Sequence, residues 1–438
     1  MKRHILSSLQ EWLHRKSRKP LLLHGARQVG KTWLIRELAR IEKIPLVEVN
    51  FELHPSAKAA FATPDPADIL RQLALIGFPL AAGGLLFLDE IQECPEAITA
   101  LRYFYELQPH IPLIATGSLL EFAMDAAEFS MPVGRIESLW LHPMDFTEFL
   151  LAKSKPDLAD AISNLAPGES LPPAAHTVAL SLLRDYFFAG GMPEALRESI
   201  DNADPSACRR AQLSILQTYR RDFAKYAPRI PADLAENLFL RTPGLVGERL
   251  KFSNIDPDRR AASVRQALSA LEKAGVVRQI THSSGQGLPL AAQANPRLVK
   301  LAFLDIGLLH AALRIDSELV AQPDLLGIHR GAAAEQFVAQ ELLAAAPPDQ
   351  DPELYFWIRE ALNSQAEVDF LLAVGSYIIP IEVKSGATGT LKSLHLFLQS
   401  HPATPYGIRI HSAPGHSDPR LRHIPLYAAR TALTPSPL

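Results

Sequence analysis

The chain has 438 residues, enough for two to four domains rather than one. Hydrophobic residues make up 47% and charged residues 21%, so the composition is that of a globular protein that can build proper cores. The formal net charge of −3 excludes a global basic excess, and any contact with nucleic acid would have to use a local patch.

The cysteines and the N-terminus indicate a cytoplasmic protein. Cys94 and Cys208 are too few for a disulfide framework or a zinc-ligand set, which favours a reducing compartment. Charges interrupt the basic segment 1–20 before a signal-peptide core can form. Because no run of about 18 apolar residues follows, we expect no membrane span and no membrane partner.

The first motif is a glycine-rich loop between a predicted strand and a predicted helix. Residues 21–24 are mostly apolar, as in a strand buried on both faces, and residues 33–39 have apolar positions at helical spacing. Between them, GARQVGKT matches the phosphate-binding pattern G-x-x-x-x-G-K-[ST]. We predict that the loop binds ATP through Gly25, Ala26, Arg27, Gln28, Val29, Gly30, Lys31 and Thr32.

The residue types of this loop suit a triphosphate with Mg²⁺. Gly25 and Gly30 let backbone amides turn towards a phosphate chain, and the helix N-terminus adds its positive end. Lys31 supplies a point charge for the outer phosphates, and the Thr32 hydroxyl is a predicted Mg²⁺ ligand. An ordinary glycine turn is the alternative, but the flanking strand and helix are the context that a phosphate loop requires.

A second buried strand, residues 85–88, ends in Asp89 and Glu90. Ligands of open α/β sheets bind at the carboxyl ends of the strands. We therefore predict that Asp89 holds the Mg²⁺ shell and that Glu90 polarises the attacking water as the catalytic base. The alternative is a buried strand that merely ends in acidic surface residues.

A third predicted strand, residues 112–115, precedes Thr116-Gly117-Ser118. Thr116 or Ser118 is a candidate sensor of the γ-phosphate, and a plain Thr-Gly-Ser turn explains the pattern equally well. Arg135 is the candidate cation for the transferring phosphate, in cis or from a neighbouring subunit of a nucleotide-dependent homo-oligomer. A solvated or structural arginine is the alternative. The succession of strands and helices predicts a parallel sheet with right-handed crossovers.

The middle of the chain has a helical pattern from about residue 178 to 250. An amphipathic helix is then predicted over 261–274 and ends before Gly275. A strand at 276–280, a glycine-containing turn and a strand near 298–303 follow it. Helix, strand, wing and strand form a winged-helix pattern, which can enter a DNA groove or serve as a protein–protein or structural module.

Near the C-terminus, residues 367–384 have the pattern of a β-hairpin with the two-residue turn Gly375-Ser376. Paired residue numbers then sum to 751, which places Asp369 opposite Glu382. The predicted core face carries the apolar residues Val368, Phe370, Leu372, Ile379, Ile381 and Val383.

The other face of this hairpin predicts a metal site. Two carboxylates directly across a ladder lie about 5 Å apart and repel each other. A divalent cation would relieve that repulsion, and oxygen ligands favour Mg²⁺ or Mn²⁺. Lys384 would orient or activate a water for attack on a phosphodiester, and helix 331–343 offers a further ligand among Glu335, Gln340 and Glu341. A charged face satisfied by a Glu367–Lys384 pair is the alternative.

These motifs together resemble bacterial and archaeal AAA-type ATPases that carry a C-terminal domain of unknown function with a restriction-endonuclease-like fold. The matching segments follow the family order along nearly the whole chain: GARQVGKT, LLFLDEIQ, LIATGS, FFAGGMPEAL, TYRRDFAKY, LAFLDIGLL, GAAAEQFVAQEL, AEVDFLL and IPIEVKSG. By resemblance, the ATP site comprises Gly25, Gly30, Lys31, Thr32, Asp89 and Glu90. The resemblance also implies a nuclease-type constellation of Glu335, Asp369, Glu382 and Lys384, although valine precedes Asp369 where many such nucleases have proline.

We therefore expect an α/β protein in four parts. They are a P-loop AAA-type ATPase domain (1–177), a helical lid or linker (178–245), a winged-helix domain (246–315) and a restriction-endonuclease-like domain (325–438). The expected function is ATP binding and hydrolysis coupled to action on DNA, with a Mg²⁺-dependent nuclease-like C-terminal domain. The alternative is a nucleotide-driven switch or scaffold whose nuclease-like domain is inactive and binds only DNA or a protein partner.

Overall fold

A five-stranded parallel sheet in the order β2-β3-β4-β1-β5 forms the N-terminal part. The computed structural model describes residues 1–118, 134–202, 204–226, 231–255, 259–315, 330–359, 366–386 and 390–435. The strands are β1 Leu21–His24, β2 Leu46–Asn50, β3 Leu85–Asp89, β4 Leu113–Thr116 and β5 Glu137–Trp140. The three central strands are buried along their whole length, which is why their sequences are continuous apolar runs. The predicted parallel sheet is confirmed.

Helices cover both faces of this sheet. Leu21 and Leu23 of β1 pack into one cluster, and Leu22 points into the other. The helices of this part are α1 Leu6–His14, α2 Lys31–Glu42, α3 Pro66–Leu75 and α4 Pro95–Leu107, with 3₁₀ turns at Pro55–Phe61 and Ile91–Glu93. The two-sided cover leaves the carboxyl edge of the strands as the place where polar side chains gather.

The middle of the chain is helical, as predicted. Proline stands in the first turn of α6, α7 and α8, where its fixed φ suits a helix start and its missing N–H costs nothing. The helices are α5 Phe146–Ala152, α6 Pro156–Ser163, α7 Pro173–Ala189, α8 Pro193–Asp201, α9 Pro205–Tyr226, α10 Ala232–Leu245, α11 Phe252–Ile255 and α12 Ala261–Lys273. Among the described residues, no helix has both the length and the apolar character needed to cross a bilayer.

An eight-stranded mixed sheet in the order β12-β13-β11-β10-β9-β8-β6-β7 forms the C-terminal part. Helix α14, three antiparallel strands β8 to β10, helix α15 and the parallel strand β11 follow one another along the chain. The strands are β6 Val277–Ser283, β7 Ala294–Phe303, β8 Leu354–Ile358, β9 Glu367–Val374, β10 Tyr377–Val383, β11 Gly407–His411, β12 His416–Asp418 and β13 Leu421–Pro425. The helices are α13 Ile306–Ala312, α14 Arg330–Ala345 and α15 Lys392–Ser400, with 3₁₀ turns at Leu290–Gln293 and Leu426–Leu433.

The predicted wing is part of this second sheet. Its helix and two strands are present as α12, β6 and β7, so the local elements are as predicted. However, β6 also pairs in parallel with β8, through Ile280 opposite Leu354 and His282 opposite Phe356. One sheet therefore spans the predicted domain boundary between residues 315 and 325. The β6–β7 hairpin belongs to that sheet and does not form a separate winged-helix domain. Residues 316–329 lie outside the described residues.

Over residues 370–381 the β9–β10 hairpin has the predicted register, and five of the six residues of the predicted core face pack together as expected, with Val368 the exception. Val374 pairs with Tyr377 and Phe370 with Ile381, so the paired numbers sum to 751. Val368, which was expected beside Phe370, packs instead with Leu371 and other residues of the opposite cluster.

A β-bulge causes this change of face. Leu371 of β9 stands opposite Tyr355 of β8, whereas Val368 stands opposite Trp357, so β9 carries one extra residue between the two pairs. An extra residue reverses the inward and outward alternation of the strand beyond it. Phe397 of α15 packs in the cluster with Val368, so this face of the hairpin is buried as well.

Asp305 joins the middle helices to the second sheet. Its fully buried carboxylate accepts hydrogen bonds from the backbone N–H of Gly191 at 2.6 Å and of Leu308 at 2.9 Å. The Gln340 side chain of α14 donates a third at 3.3 Å. One side chain therefore satisfies polar groups from three segments that are far apart in sequence.

We expect Asp305→Ala to lower the free energy of unfolding by about 2–4 kcal/mol, because it leaves two buried amides without an acceptor. Urea-induced and thermal unfolding would measure the loss. The control is Asp349→Ala, which removes an exposed carboxylate and should change stability by less than about 0.5 kcal/mol. Equal effects of the two substitutions would contradict the assigned role of Asp305.

Candidate functional site

The loop between β1 and α2 has a backbone shape that only certain residues allow. Gly25 and Gly30 have φ values of +145° and +99°. A Cβ atom on Gly25 would overlap the carbonyl oxygen of Leu141, so glycine is required there. Helix α2 begins at Lys31, and its first amides lack partners within the helix. A tight loop that runs into a helix N-terminus is suited to binding an anion.

Lys31 is buried over this loop, and among the described residues no carboxylate forms an ion pair with its ammonium. Its Nζ donates hydrogen bonds to the carbonyl oxygens of Gly25 at 2.8 Å and Ala26 at 3.0 Å. Burial lowers the pKa of Lys31 to about 8, although Glu90 and Asp89 attract the charged form. A bound phosphate would supply the close anionic partner that the ammonium lacks here.

Asp89 is the acceptor at the centre of the site. Its carboxylate accepts hydrogen bonds from the Thr32 hydroxyl at 3.0 Å, from the Asn50 amide at 3.1 Å and from the Thr116 hydroxyl. Asp89 and Thr116 are both buried. The structure thus brings the predicted Mg²⁺ ligands Thr32 and Asp89 together and places Thr116 beside them.

Glu90 is held as an ionised carboxylate next to Asp89. Its Oε2 accepts hydrogen bonds from the Gln92 amide at 2.7 Å, the Ser118 hydroxyl at 3.1 Å and the Ser118 backbone N–H at 3.2 Å. Burial alone would raise the pKa of Glu90, but the hydrogen bonds from Gln92 and Ser118, together with the positive charge of Lys31, outweigh it and lower the pKa. Thr116 and Ser118, which the sequence offered as alternatives, both lie in the site, one against each carboxylate.

Residues outside the predicted set hold the loop in place. Arg27 forms a 2.6 Å ion pair with Asp222 of α9, and the Tyr219 hydroxyl donates to the Arg27 carbonyl oxygen. Arg3 donates to the carbonyl oxygen of Val29 at 2.9 Å. The segment TYRRDFAKY contains Tyr219 and Asp222, but the sequence indicated no role for either residue at the loop, and their contact with it was not predicted.

Arg135 lies away from these groups. Its side chain is 44% exposed, and its Nε donates to Glu106 of α4 at 3.0 Å. Among the contacts of the described residues, none joins Arg135 to Lys31, Asp89 or Glu90. A role for Arg135 in a neighbouring subunit stays a prediction.

The C-terminal acidic residues surround a lysine that the sequence analysis had not selected. The Nζ of Lys300 on β7 lies 2.7 Å from Glu335, 2.9 Å from Glu367 and 3.7 Å from the Asp369 carboxylate. Its side chain is 1% exposed. Burial alone would lower the pKa of Lys300, but Glu335, Asp369 and Glu367 together raise it. The only signal in the sequence was a lysine within the apolar run LVKLAF.

Asp369, Glu382 and Lys384 meet at the open end of the hairpin. Lys384 pairs with Glu382, and Asp369 accepts a hydrogen bond from the Val383 N–H at 2.7 Å. Burial and the neighbouring Asp369 carboxylate raise the pKa of Glu382 to about 7. Glu367 contacts Lys300 and not Lys384, so the simple Glu367–Lys384 pair is absent from the described contacts.

Two other predicted ligand candidates have structural roles. Gln340 accepts a hydrogen bond from the Ile306 N–H at 3.0 Å, and Glu341 accepts one from the Phe146 N–H at 2.8 Å. Glu335 is the only member of this predicted set that contacts the lysine-centred cluster within the described part of the chain.

The carboxylates near Lys300 are not arranged as a ready set of metal ligands. Within the described ranges, one group of three His, Cys, Asp or Glu side chains has its ligand atoms within 4.8 Å of one another, and it is His416, Asp418 and His423. Glu335, Asp369 and Glu382 do not form such a group.

One histidine of that group, His423, is already hydrogen-bonded on both ring nitrogens, and one of its partners is His411, outside the group. The Ala413 N–H donates to His411 Nδ1 at 3.0 Å, so the proton of the neutral His411 ring is on Nε2. That Nε2 lies 3.2 Å from His423 Nδ1, and His423 Nε2 lies 3.2 Å from Asp418. Burial lowers the pKa of His411 to about 3, which keeps it neutral. In this arrangement His423 Nε2 carries the proton and faces Asp418, so a metal at that nitrogen would require the other tautomer and the loss of the hydrogen bond from His411.

The sequence matches three protein families in succession. Residues 17–150 match a family described as an AAA domain. Residues 180–319 and 330–426 match two domains of unknown function, DUF8612 and DUF4143 respectively. No curated protein matches the chain. The N-terminal part, with its parallel sheet and glycine loop, is therefore an AAA-type P-loop domain.

Solved structures with similar folds include three archaeal proteins. The Walker-type ATPase of Pyrococcus abyssi is 17% identical with a TM-score of 0.45, covering 70% of this chain and 94% of its own. The ORC2 protein of Aeropyrum pernix is 15% identical with a TM-score of 0.39, and the match covers 73% of this chain and 93% of that protein. Cdc6p of Pyrobaculum aerophilum is 13% identical with a TM-score of 0.25, and the match covers 72% of this chain and 94% of that protein. With every TM-score below 0.5, the relation to AAA domains depends on the family match and on the site itself.

The pKa of Lys31 predicts that nucleotide binding takes up a proton above neutral pH. The group is about half protonated near pH 8 in the free chain, and phosphates raise its pKa by attraction. Well below pH 8 the lysine is charged in both states, so affinity does not change. Above pH 8, affinity falls by up to about tenfold per pH unit until the pKa of the complex is reached.

Isothermal titration calorimetry with ADP, in buffers of different ionisation enthalpy, measures this uptake. We expect about three-quarters of a proton at about pH 8.5 and about a tenth at about pH 7. Lys31→Arg is the matched control, because arginine stays charged throughout this range. The same uptake in wild type and Lys31→Arg would contradict the assignment.

Proposed function

We propose that this chain is an ATP-binding and ATP-hydrolysing AAA-type protein that acts on DNA. The observation that carries the ATPase proposal is the convergence of Lys31, Thr32, Asp89 and Glu90 at the carboxyl edge of the parallel sheet. The match of residues 17–150 to the AAA domain family supports it. The DNA part of the proposal comes from the resemblance of the whole chain.

The residues of this site fit Mg-ATP. The loop amides and Lys31 would bind the phosphates, and the 3.0 Å contact between the Thr32 hydroxyl and Asp89 brings together two oxygen donors of the kind that Mg²⁺ prefers. When bound, Mg²⁺ neutralises charge on the phosphate oxygens. Without nucleotide, Thr32 and Asp89 satisfy each other, which keeps both side chains oriented.

Glu90 is the proposed base for hydrolysis. A water oriented by its carboxylate attacks the γ-phosphorus in line, the bond to the β–γ bridging oxygen breaks, and the proton of the water passes towards Glu90. Ser118 and Gln92 fix the carboxylate and favour its ionised form, which is the form that accepts a proton. Lys31 stabilises the charge that develops on the phosphate oxygens.

Nucleotide state would be transmitted through the contacts of Arg27. Its ion pair with Asp222 and its carbonyl bond from Tyr219 connect the phosphate loop to helix α9. A change in the loop on binding or release of phosphate therefore acts directly on the middle helices. Assembly of a homo-oligomer in which Arg135 completes a neighbouring site remains part of the proposal.

Substitution of Lys31 and Glu90 separates binding from chemistry. We expect Lys31→Ala to abolish ATP turnover by weakening nucleotide binding, and Glu90→Gln to keep binding while slowing turnover by about 10²–10⁴-fold. Phosphate release and nucleotide affinity would be measured on the same samples. Lys16→Ala, at an exposed position of the same domain, should match wild type. Unchanged turnover in Lys31→Ala would refute the site.

The C-terminal part has two candidate roles on DNA. The succession of α14, β8, β9, β10, α15 and β11, with Asp369, Glu382 and Lys384 at one end, supports the nuclease role that the resemblance implies. The contacts of Lys300 with Glu335 and Asp369 argue against cleavage and so favour the other role, binding without cleavage, in which the DNA affinity itself comes from the resemblance. We propose the binding role, because a lysine already occupies the centre of the acidic cluster.

A cleavage assay with Mg²⁺ or Mn²⁺ on single-stranded, duplex and nicked-circle DNA distinguishes these roles. We expect wild type to bind DNA but to cut it no faster than Asp369→Ala or Glu382→Ala, with ATP turnover intact in all three. Metal-dependent cleavage by wild type that disappears in Asp369→Ala would establish the nuclease role instead. A chain with ATPase activity and no DNA affinity would point to a protein partner.

A further inference from the structure

Basic side chains of the protein nearly neutralise the C-terminal acidic cluster. We define the carboxylate centre as Glu335, Glu367, Asp369 and Glu382. Three cations contact it, since Lys300 reaches the first three acids, Lys384 pairs with Glu382, and Arg249 lies 3.4 Å from Glu367. Four formal negative charges therefore face three positive ones. A divalent cation added to this set would give a net positive charge in a buried place, which is unfavourable.

The ammonium of Lys300 lies among the carboxylates to which the resemblance assigns a divalent metal. It lies against one oxygen from each of three carboxylates, at 2.7, 2.9 and 3.7 Å, so those oxygens converge on it. The strand that carries it is fixed, because Lys300 pairs with Ile280 in the ladder of β6 and β7. A free metal ion would have to lose part of its hydration shell and displace a cation that is tethered and almost completely buried.

We propose that Lys300 is a built-in cation at the position that the resemblance assigns to a divalent metal, so that the carboxylate centre of this chain assembles without metal. The residues present do not fit a resident Mg²⁺ or Mn²⁺ ion while Lys300 is in place. This inference deepens the proposed binding role of the C-terminal part and is independent of ATP hydrolysis in the N-terminal part.

Lys300 and the acids that it contacts come from different regions of the chain. Lys300 and Arg249 belong to the region 180–319, whereas the acids of the centre belong to the region 330–426. The ion pairs therefore join two regions that match separate families. Removal of Lys300 would leave four acids with two cations, an excess of negative charge that a divalent ion could neutralise.

Mn²⁺ binding to the nucleotide-free full chain tests the proposal, with free Mn²⁺ followed by electron paramagnetic resonance. We expect wild type and Asp369→Ala to bind the same number of ions. Lys300→Met should gain one Mn²⁺ site per chain that is at least about tenfold tighter than any wild-type site, because a buried positive charge has been removed. The double variant Lys300→Met with Asp369→Ala should lose this site. Lys155→Met, at an exposed position, is the matched control.

Two results would overturn the proposal. One is a wild-type Mn²⁺ site that disappears in Asp369→Ala, a comparison that needs no change at Lys300 and holds even if Lys300→Met fails to fold. The other is a folded Lys300→Met, judged by circular dichroism, that gains no site. Absence of DNA affinity would refute the proposed role on DNA without changing either outcome, so the two failures can be told apart.

Discussion

The high free energy of burying an ammonium group without a counter-ion governs both sites of this protein. Lys31 is buried against carbonyl oxygens, and its pKa falls to about 8. Lys300 is buried against three carboxylates, which raise its pKa. Within the described part of the chain the first lysine forms no ion pair, so its ammonium is suited to receive phosphate. The second already has its anions, so its surroundings need no ligand to be stable.

The acidic residues of the two sites differ in whether neutral or charged groups hold them. Asp89 and Glu90 are fixed by neutral donors, the hydroxyl and amide groups of Thr32, Asn50 and Ser118, which orient the carboxylates without neutralising them. Their negative charge stays available to a metal and a water. The C-terminal carboxylates are fixed largely by cations, so most of their negative charge is neutralised within the protein. Similar side chains are thus held by neutral donors in one site and by cations in the other.

The middle of the chain contacts both sites and is the natural route between them. Helix α9 touches the phosphate loop through Asp222 and Tyr219, and β7 extends Lys300 into the carboxylate centre. The buried carboxylate of Asp305 ties the end of β7 to the helices around Gly191. A movement of the middle helices that follows the nucleotide would therefore reach the second sheet through packed and hydrogen-bonded groups.

Features that depend on short-range spacing are predictable from the order of the amino acids. The glycine loop, the buried strands that end in Asp89 and Thr116, helix α12 and the register of the β9–β10 hairpin follow from period and turn chemistry. The folded chain was needed to find the pairing of β6 with β8, the bulge that moved Val368 to the other face, and the position of Lys300. Lys300 and Glu367 are 67 residues apart. Contacts of that kind depend on how distant strands and helices pack, which no local pattern of residues records.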